Sequence, residues 1–283
     1  MGEEKRGKIT HLSLRKMKEQ GERIVALTAY DFPMARMEDE EGIELILVGD
    51  SLGQVVLGHP STLPVTMEEM IHHIRAVARA RPSALLVADM PFMSFQVSTE
   101  EALRNAGRLV KEGGAEGVKV EGGKRIVPQI RAIVEAGIPC LGHLGLTPQS
   151  ILRFGGYRVQ GRDAADEEDL SADAAALEEA GCFGIVLEAI PWPLAKRITA
   201  ERNIPTIGIG AGPYCDGQIL VAHDLLGISE DFTPRFVKRY AELAGEMRSA
   251  FRTFAEEVKG GEFPDLERSY PARKKNGKVG NRI

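Results

Sequence analysis

The 283-residue chain has little cysteine: Cys140, Cys182 and Cys215, with no CxxC among them. Three widely spaced cysteines exclude a disulfide framework and a structural zinc site. They fit a reducing compartment, so we expect a cytoplasmic protein. No apolar run reaches the ~18 residues that a membrane helix needs, so no membrane partner is expected. The opening residues Met1-Gly2-Glu3-Glu4-Lys5-Arg6 lack the apolar stretch of a secretory signal. Neither sign of charge dominates: 36 Lys plus Arg stand against 41 Asp plus Glu, a net charge of −5. That leaves no basic footprint for nucleic acid. Composition also excludes a disordered or collagen-like chain, since 43% of residues are hydrophobic and 27% charged.

What is present is a repeat of short apolar runs. They fall at residues 24–28, 45–48, 85–88, 117–120, 139–142, 184–187, 205–209 and 218–222. Near-continuous β-branched runs predict strands covered on both faces, as in a parallel sheet. Helical signals lie between them. Thr66 with Glu69 and Ser98 with Glu101 read as capping boxes. Thr147-Pro148 reads as a cap with an N1 proline. Gly113, Gly137 and Gly181 read as helix-ending glycines. Eight βα units in a chain of this size predict an α/β fold, a (β/α)8 TIM barrel. A doubly wound open sheet is the alternative, disfavoured because no GxGxxG follows the first strand.

Two helices are expected outside the repeat, over 8–20 and 235–259. The first has an apolar side that the barrel repeat does not obviously use. We expect one barrel domain over residues 1–272, including both helices. The basic stretch 273–283 reads as a disordered tail.

Four strand runs end in a carboxylate: Asp50, Asp89, Glu121 and Glu188. One acid after a strand is usually a helix cap. Four at the catalytic end of one barrel point to chemistry, because a bare buried carboxylate is costly unless paired or bound to metal. Asp50, Asp89 and Glu121 come from consecutive strands and can converge. Oxygen ligands without His or Cys suit Mg2+. Lys119 precedes Glu121 by two residues and shares its face. It can bind a substrate oxygen, or pair with a neighbouring acid, or both. His143 ends the fifth strand, as a second-shell hydrogen-bonder or a catalyst. The turn Gly208-Ile209-Gly210-Ala211-Gly212 can be a phosphate site or a tight βα turn. The long segment 154–169 reads as a lid or as a surface loop.

These residues sit in stretches that resemble the ketopantoate hydroxymethyltransferase family. The stretches include Val48-Gly49-Asp50-Ser51-Leu52-Gly53, Ala88-Asp89-Met90-Pro91-Phe92, Val118-Lys119-Val120-Glu121-Gly122-Gly123, Gly142-His143-Leu144-Gly145-Leu146-Thr147-Pro148-Gln149-Ser150, Phe154-Gly155-Gly156-Tyr157 and Leu187-Glu188. They follow family order along most of the chain. The resemblance implies a barrel related to the phosphoenolpyruvate/pyruvate superfamily. It implies transfer of a hydroxymethyl group from 5,10-methylenetetrahydrofolate to 3-methyl-2-oxobutanoate through a Mg-stabilised enolate. The implied product is 2-dehydropantoate, on the route to pantothenate and coenzyme A. Carried over by position, Asp50, Asp89 and Glu121 match the family's Mg2+ acids, and Asp50, Ser51, Asp89 and Lys119 match its oxoacid-binding residues. Glu188 matches its general base, and the implied assembly is a homodecamer of two pentamers. One rival is a C–C lyase of the same fold. Such lyases often carry a lid cysteine in a Lys-Lys-Cys-Gly-type motif, which is missing here. The other is a non-catalytic scaffold, which would not need every one of these acids.

Overall fold

The computed structural model describes residues 7–229 and 234–271. Eight parallel strands close into a barrel in the order β1 to β8, with β1 paired to β8. They are β1 (Ile24–Thr28), β2 (Leu45–Val48), β3 (Leu85–Asp89), β4 (Gly117–Glu121), β5 (Cys140–Gly145), β6 (Gly184–Glu188), β7 (Thr206–Ile209) and β8 (Gly217–Leu220). Every run expected to be a strand is one. β5 continues three residues past expectation, because Gly142 and Gly145 do not stop a strand whose every residue is buried.

Helices connect the strands except between β7 and β8, which residues 210–216 join without one. The Thr66–Glu69 capping box is complete. Ser98 caps its helix from the side chain only, accepting from the Glu101 amide. Thr147 makes no side-chain cap, and the helix expected there is a short 3-10 turn, Pro148–Ser150, followed by Ile151–Phe154. Gly114 rather than Gly113 takes the left-handed end position, because a π-turn over Leu109–Gly113 lengthens that helix by a residue.

The N-terminal helix, His11–Gln20, does use its apolar side. Leu14 is 1% exposed and packs with Ile24, Leu45, Leu85, Leu141 and Ile207, all near the starts of strands. It plugs the lower end of the barrel. The C-terminal helix behaves differently. It runs over Leu243–Gly260, starting later than expected because residues 234–242 form turns, and it buries no residue. Phe251 and Phe254 stand exposed on it. The predicted basic tail over 273–283 lies outside the described residues. Among the described residues, no helix is long and apolar enough to cross a membrane.

Candidate active site

The site arises from the two-residue period of the strands. Inward positions of β3, β5 and β6 are apolar lower down, at Val87, Leu141 and Val186. Two residues further on they become Asp89, His143 and Glu188. On β4 the inward positions are Lys119 and Glu121. Register then sets the neighbours. Asp89 is level with Lys119 across β3–β4, and Glu121 is level with His143 across β4–β5. Paired strands lie about 4.8 Å apart, so level side chains meet.

The contacts follow. Lys119 Nζ donates to Asp89 Oδ1 at 2.5 Å and lies 4.0 Å from Glu121 Oε1. The Asp50 amide donates to Asp89 Oδ2 at 3.0 Å, which brings these two acids together. Glu121 Oε1 is 3.2 Å from His143 Nδ1, and its Oε2 accepts from the Gln149 amide at 2.9 Å. His143 Nε2 is 3.2 Å from Glu188 Oε2, off the line of a good hydrogen bond, so this buried nitrogen has a charge contact but no bonded partner. Ser51 Oγ shares a 2.8 Å hydrogen bond with Tyr30 OH.

Burial and charge act against each other here. Burial, and then the charges of Asp89 and Glu121, push the Asp50 carboxyl well above its usual range, with Lys119 and Gln149 pulling the other way. Burial would lower Lys119, but Asp89, Glu121 and Asp50 reverse this and raise it. Burial would raise Glu121, but His143, Lys119 and the Gln149 amide hold it below the usual range. Burial and Lys119 oppose charge on His143, yet Glu121 and Glu188 raise it to about 9. At neutral pH, then, His143 is an imidazolium between two carboxylates.

Asp50, Asp89 and Glu121 are the three acids expected to hold a divalent cation. Asp50 and Asp89 adjoin each other, and their hard oxygens suit Mg2+, which needs only one or two carboxylates plus substrate and water. All three are already engaged within the fold: Asp89 by Lys119 and the Asp50 amide, Asp50 by Gln149, and Glu121 by His143 and the Gln149 amide. Among the described residues no three His, Cys, Asp or Glu side chains converge as a metal cluster.

A cavity of about 870 Å3 opens over these groups and is lined by Asp50, Ser51, Asp89, Lys119, Glu121, His143 and Glu188 together. The segment expected to be a lid covers its side with Tyr157, Arg158 and Val159. Only its first part is loop, since Asp163 caps a helix from Ala164 to Glu179. Gln160 N binds Ala189 O at 3.1 Å, which ties the loop to the end of β6. Ala189 itself has a positive φ of 47°. Gly145 is needed beside it, because a Cβ there would lie 2.1 Å from Glu188 O. In the other glycine turn Gly210 and Gly212 have positive φ, and a Cβ on either would strike Phe236 or Trp192. That is the tight-turn reading of 208–212. All three cysteines are buried and none lines this cavity. Sequence reasoning missed Tyr30 and Gln149. Both lie in the quoted family stretches or near them, but only the fold shows what they touch.

The chain is a parallel (β/α)8 barrel with clustered acids and a lysine at its C-terminal mouth. Solved structures agree on the fold. 2,3-Dimethylmalate lyase, a PEP mutase/isocitrate lyase superfamily member, superposes with a TM-score of 0.58 at 19% identity, over 92% of this chain and 91% of its own. Phosphonopyruvate hydrolase with oxalate and Mg++ gives 0.60 at 14%, over 92% and 93%. Sequence then specifies the family: the ketopantoate hydroxymethyltransferase model matches residues 8–266, and the chain belongs to that family. The 3-methyl-2-oxobutanoate hydroxymethyltransferase of Moorella thermoacetica is 59% identical over 265 residues, 94% of this chain and 98% of that protein. Its namesake in Geobacter metallireducens is 57% identical over 263 residues, 93% and 98%.

Proposed function

We propose that this chain transfers the one-carbon unit of 5,10-methylenetetrahydrofolate to 3-methyl-2-oxobutanoate as a hydroxymethyl group, consuming one water and releasing 2-dehydropantoate and tetrahydrofolate. The observation that carries the reading is the placement of Glu188 on β6, across the barrel from Asp50 and Asp89 at β2 and β3. A base on the opposite wall from the binding acids can reach C3 of a 2-oxoacid held by its other end.

Asp50 and Asp89 would hold Mg2+, with Glu121 beside them. When bound, the ion supplies Lewis-acid polarisation of the 2-keto oxygen. The chain's own groups do the rest. Ser51, Asp50, Asp89 and Lys119 bind and orient the oxoacid. Lys119, fully charged, faces the carboxylate or the keto oxygen as negative charge grows on it. Glu188 Oε takes the proton from C3. His143, 3.2 Å from Glu188 Oε2, steadies that carboxylate without bonding it fully, so it stays free to accept. A five-carbon acid fills a small part of about 870 Å3, which leaves room for the folate beside it.

We place the protein in the cytoplasm and propose a homo-oligomer, a decamer of two pentamers by family resemblance. The exposed apolar side of the C-terminal helix supports assembly. The role expected for the N-terminal helix does not, since that face is used internally. The decisive assay supplies both substrates with Mg2+ or with chelator. Ketopantoate with the metal and none without it is the expected result. No product in either condition would overturn the proposal. Light scattering tests assembly, and a monomer would contradict it.

A further inference from the structure

We propose that Gln149 is a positioning residue that braces the acids of β2 and β4 across the mouth of the barrel. It sits in the 3-10 turn Pro148–Ser150, just after β5. Its amide nitrogen Nε2 donates to Asp50 Oδ2 at 2.8 Å and to Met90 O at 2.9 Å. Its Oε1 accepts from Gln96 Nε2 at 3.1 Å. Its backbone amide donates to Glu121 Oε2 at 2.9 Å. Both side-chain protons are thus used, and reversing the amide would set oxygen against a carboxylate and a carbonyl. The side chain is buried and does not line the cavity, so it acts through the acids rather than on substrate.

The bracing does what the barrel cannot. β2 and β5 are not neighbours, so no ladder fixes Asp50 against the β5 side. One residue does this, with its main chain on Glu121 and its side chain on Asp50. The donor against Asp50 Oδ2 fixes the orientation of that carboxylate at the mouth of the barrel. The inference rests on reading Asp50 as a site acid, and its test separates the two.

Q149L removes both donors and keeps the backbone bond to Glu121. Calorimetric titration with Mg2+, then with 3-methyl-2-oxobutanoate, should show about ten- to hundredfold weaker binding at pH 7. Exchange of the C3 proton at saturating oxoacid should change less than threefold, because Glu188 is untouched. A lower unfolding temperature with unchanged affinity would overturn the proposal. If Q149L does not fold, Q149M keeps the length of the side chain without its donors, and wild-type affinity for Mg2+ and the oxoacid in it would overturn the proposal. Wild-type protein that exchanges no C3 proton would sink the functional reading alone, because the Mg2+ titration still reports the brace.

Discussion

The lower and upper halves of the barrel interior are built from the same strands and differ by two residues. Val87, Leu141 and Val186 pack into an apolar cluster that the N-terminal helix closes with Leu14. Asp89, His143 and Glu188, one inward step on, form a charged layer around Lys119 and Glu121. The lower layer gains free energy from burial alone. The upper layer spends some of it, since each buried charge needs a partner. Stability and chemistry are therefore assigned to different heights of one wall, and substitutions should sort by height.

The largest effect should come from breaking a pair in the upper layer. Asp89→Asn leaves the Lys119 ammonium buried without its 2.5 Å partner. We expect a loss of about 3–5 kcal/mol in stability at neutral pH, together with loss of oxoacid binding. Denaturant unfolding and calorimetry with Mg2+ and the oxoacid measure the two. Normal binding would mark Asp89 as purely structural.

A cut in the lower layer should cost only stability. Leu141→Ala, two residues before His143 on the same face, should lose about 2–5 kcal/mol. Oxoacid affinity at a temperature where the variant is folded should match the wild type. A change in affinity would mean that the layers are coupled.

The smallest effect is one of pH. His143 is raised to about 9 in the folded chain, against about 6.5 when unfolded. A raised imidazole contributes stability that is whole below pH 6.5 and fades as pH rises through 9. The unfolding temperature should fall by about a few degrees over that window, and His143→Gln should flatten the fall. An NMR titration of His143 should show a midpoint near 9.

Much of this was legible from residues alone, because strands and their inward face follow from a period of two. Asp89, Lys119, Glu121 and Glu188 could be placed at one end of the barrel without coordinates. What sequence could not show is direction in the last ångströms. Glu121 shares a strand end with a lysine, but only the fold shows that its two oxygens meet the His143 level with it and the turn after β5. Gln149 was hidden because its partners, Asp50 and Met90, lie far from it along the chain, and no spacing rule joins a turn after β5 to β2. The two terminal helices were equally opaque. Both are amphipathic, and only the packed barrel shows that one face is used and the other left open.

The central claim is that the upper layer removes a proton from C3 of the oxoacid through Glu188. It is tested without folate by NMR, following deuterium entry at C3 of 3-methyl-2-oxobutanoate in deuterated water with Mg2+. The account predicts exchange by the wild type. It predicts a loss of about 10²–10⁴-fold in Glu188→Gln, with oxoacid affinity retained. Exchange by Glu188→Gln at the wild-type rate would contradict it and pass the role of base to another group.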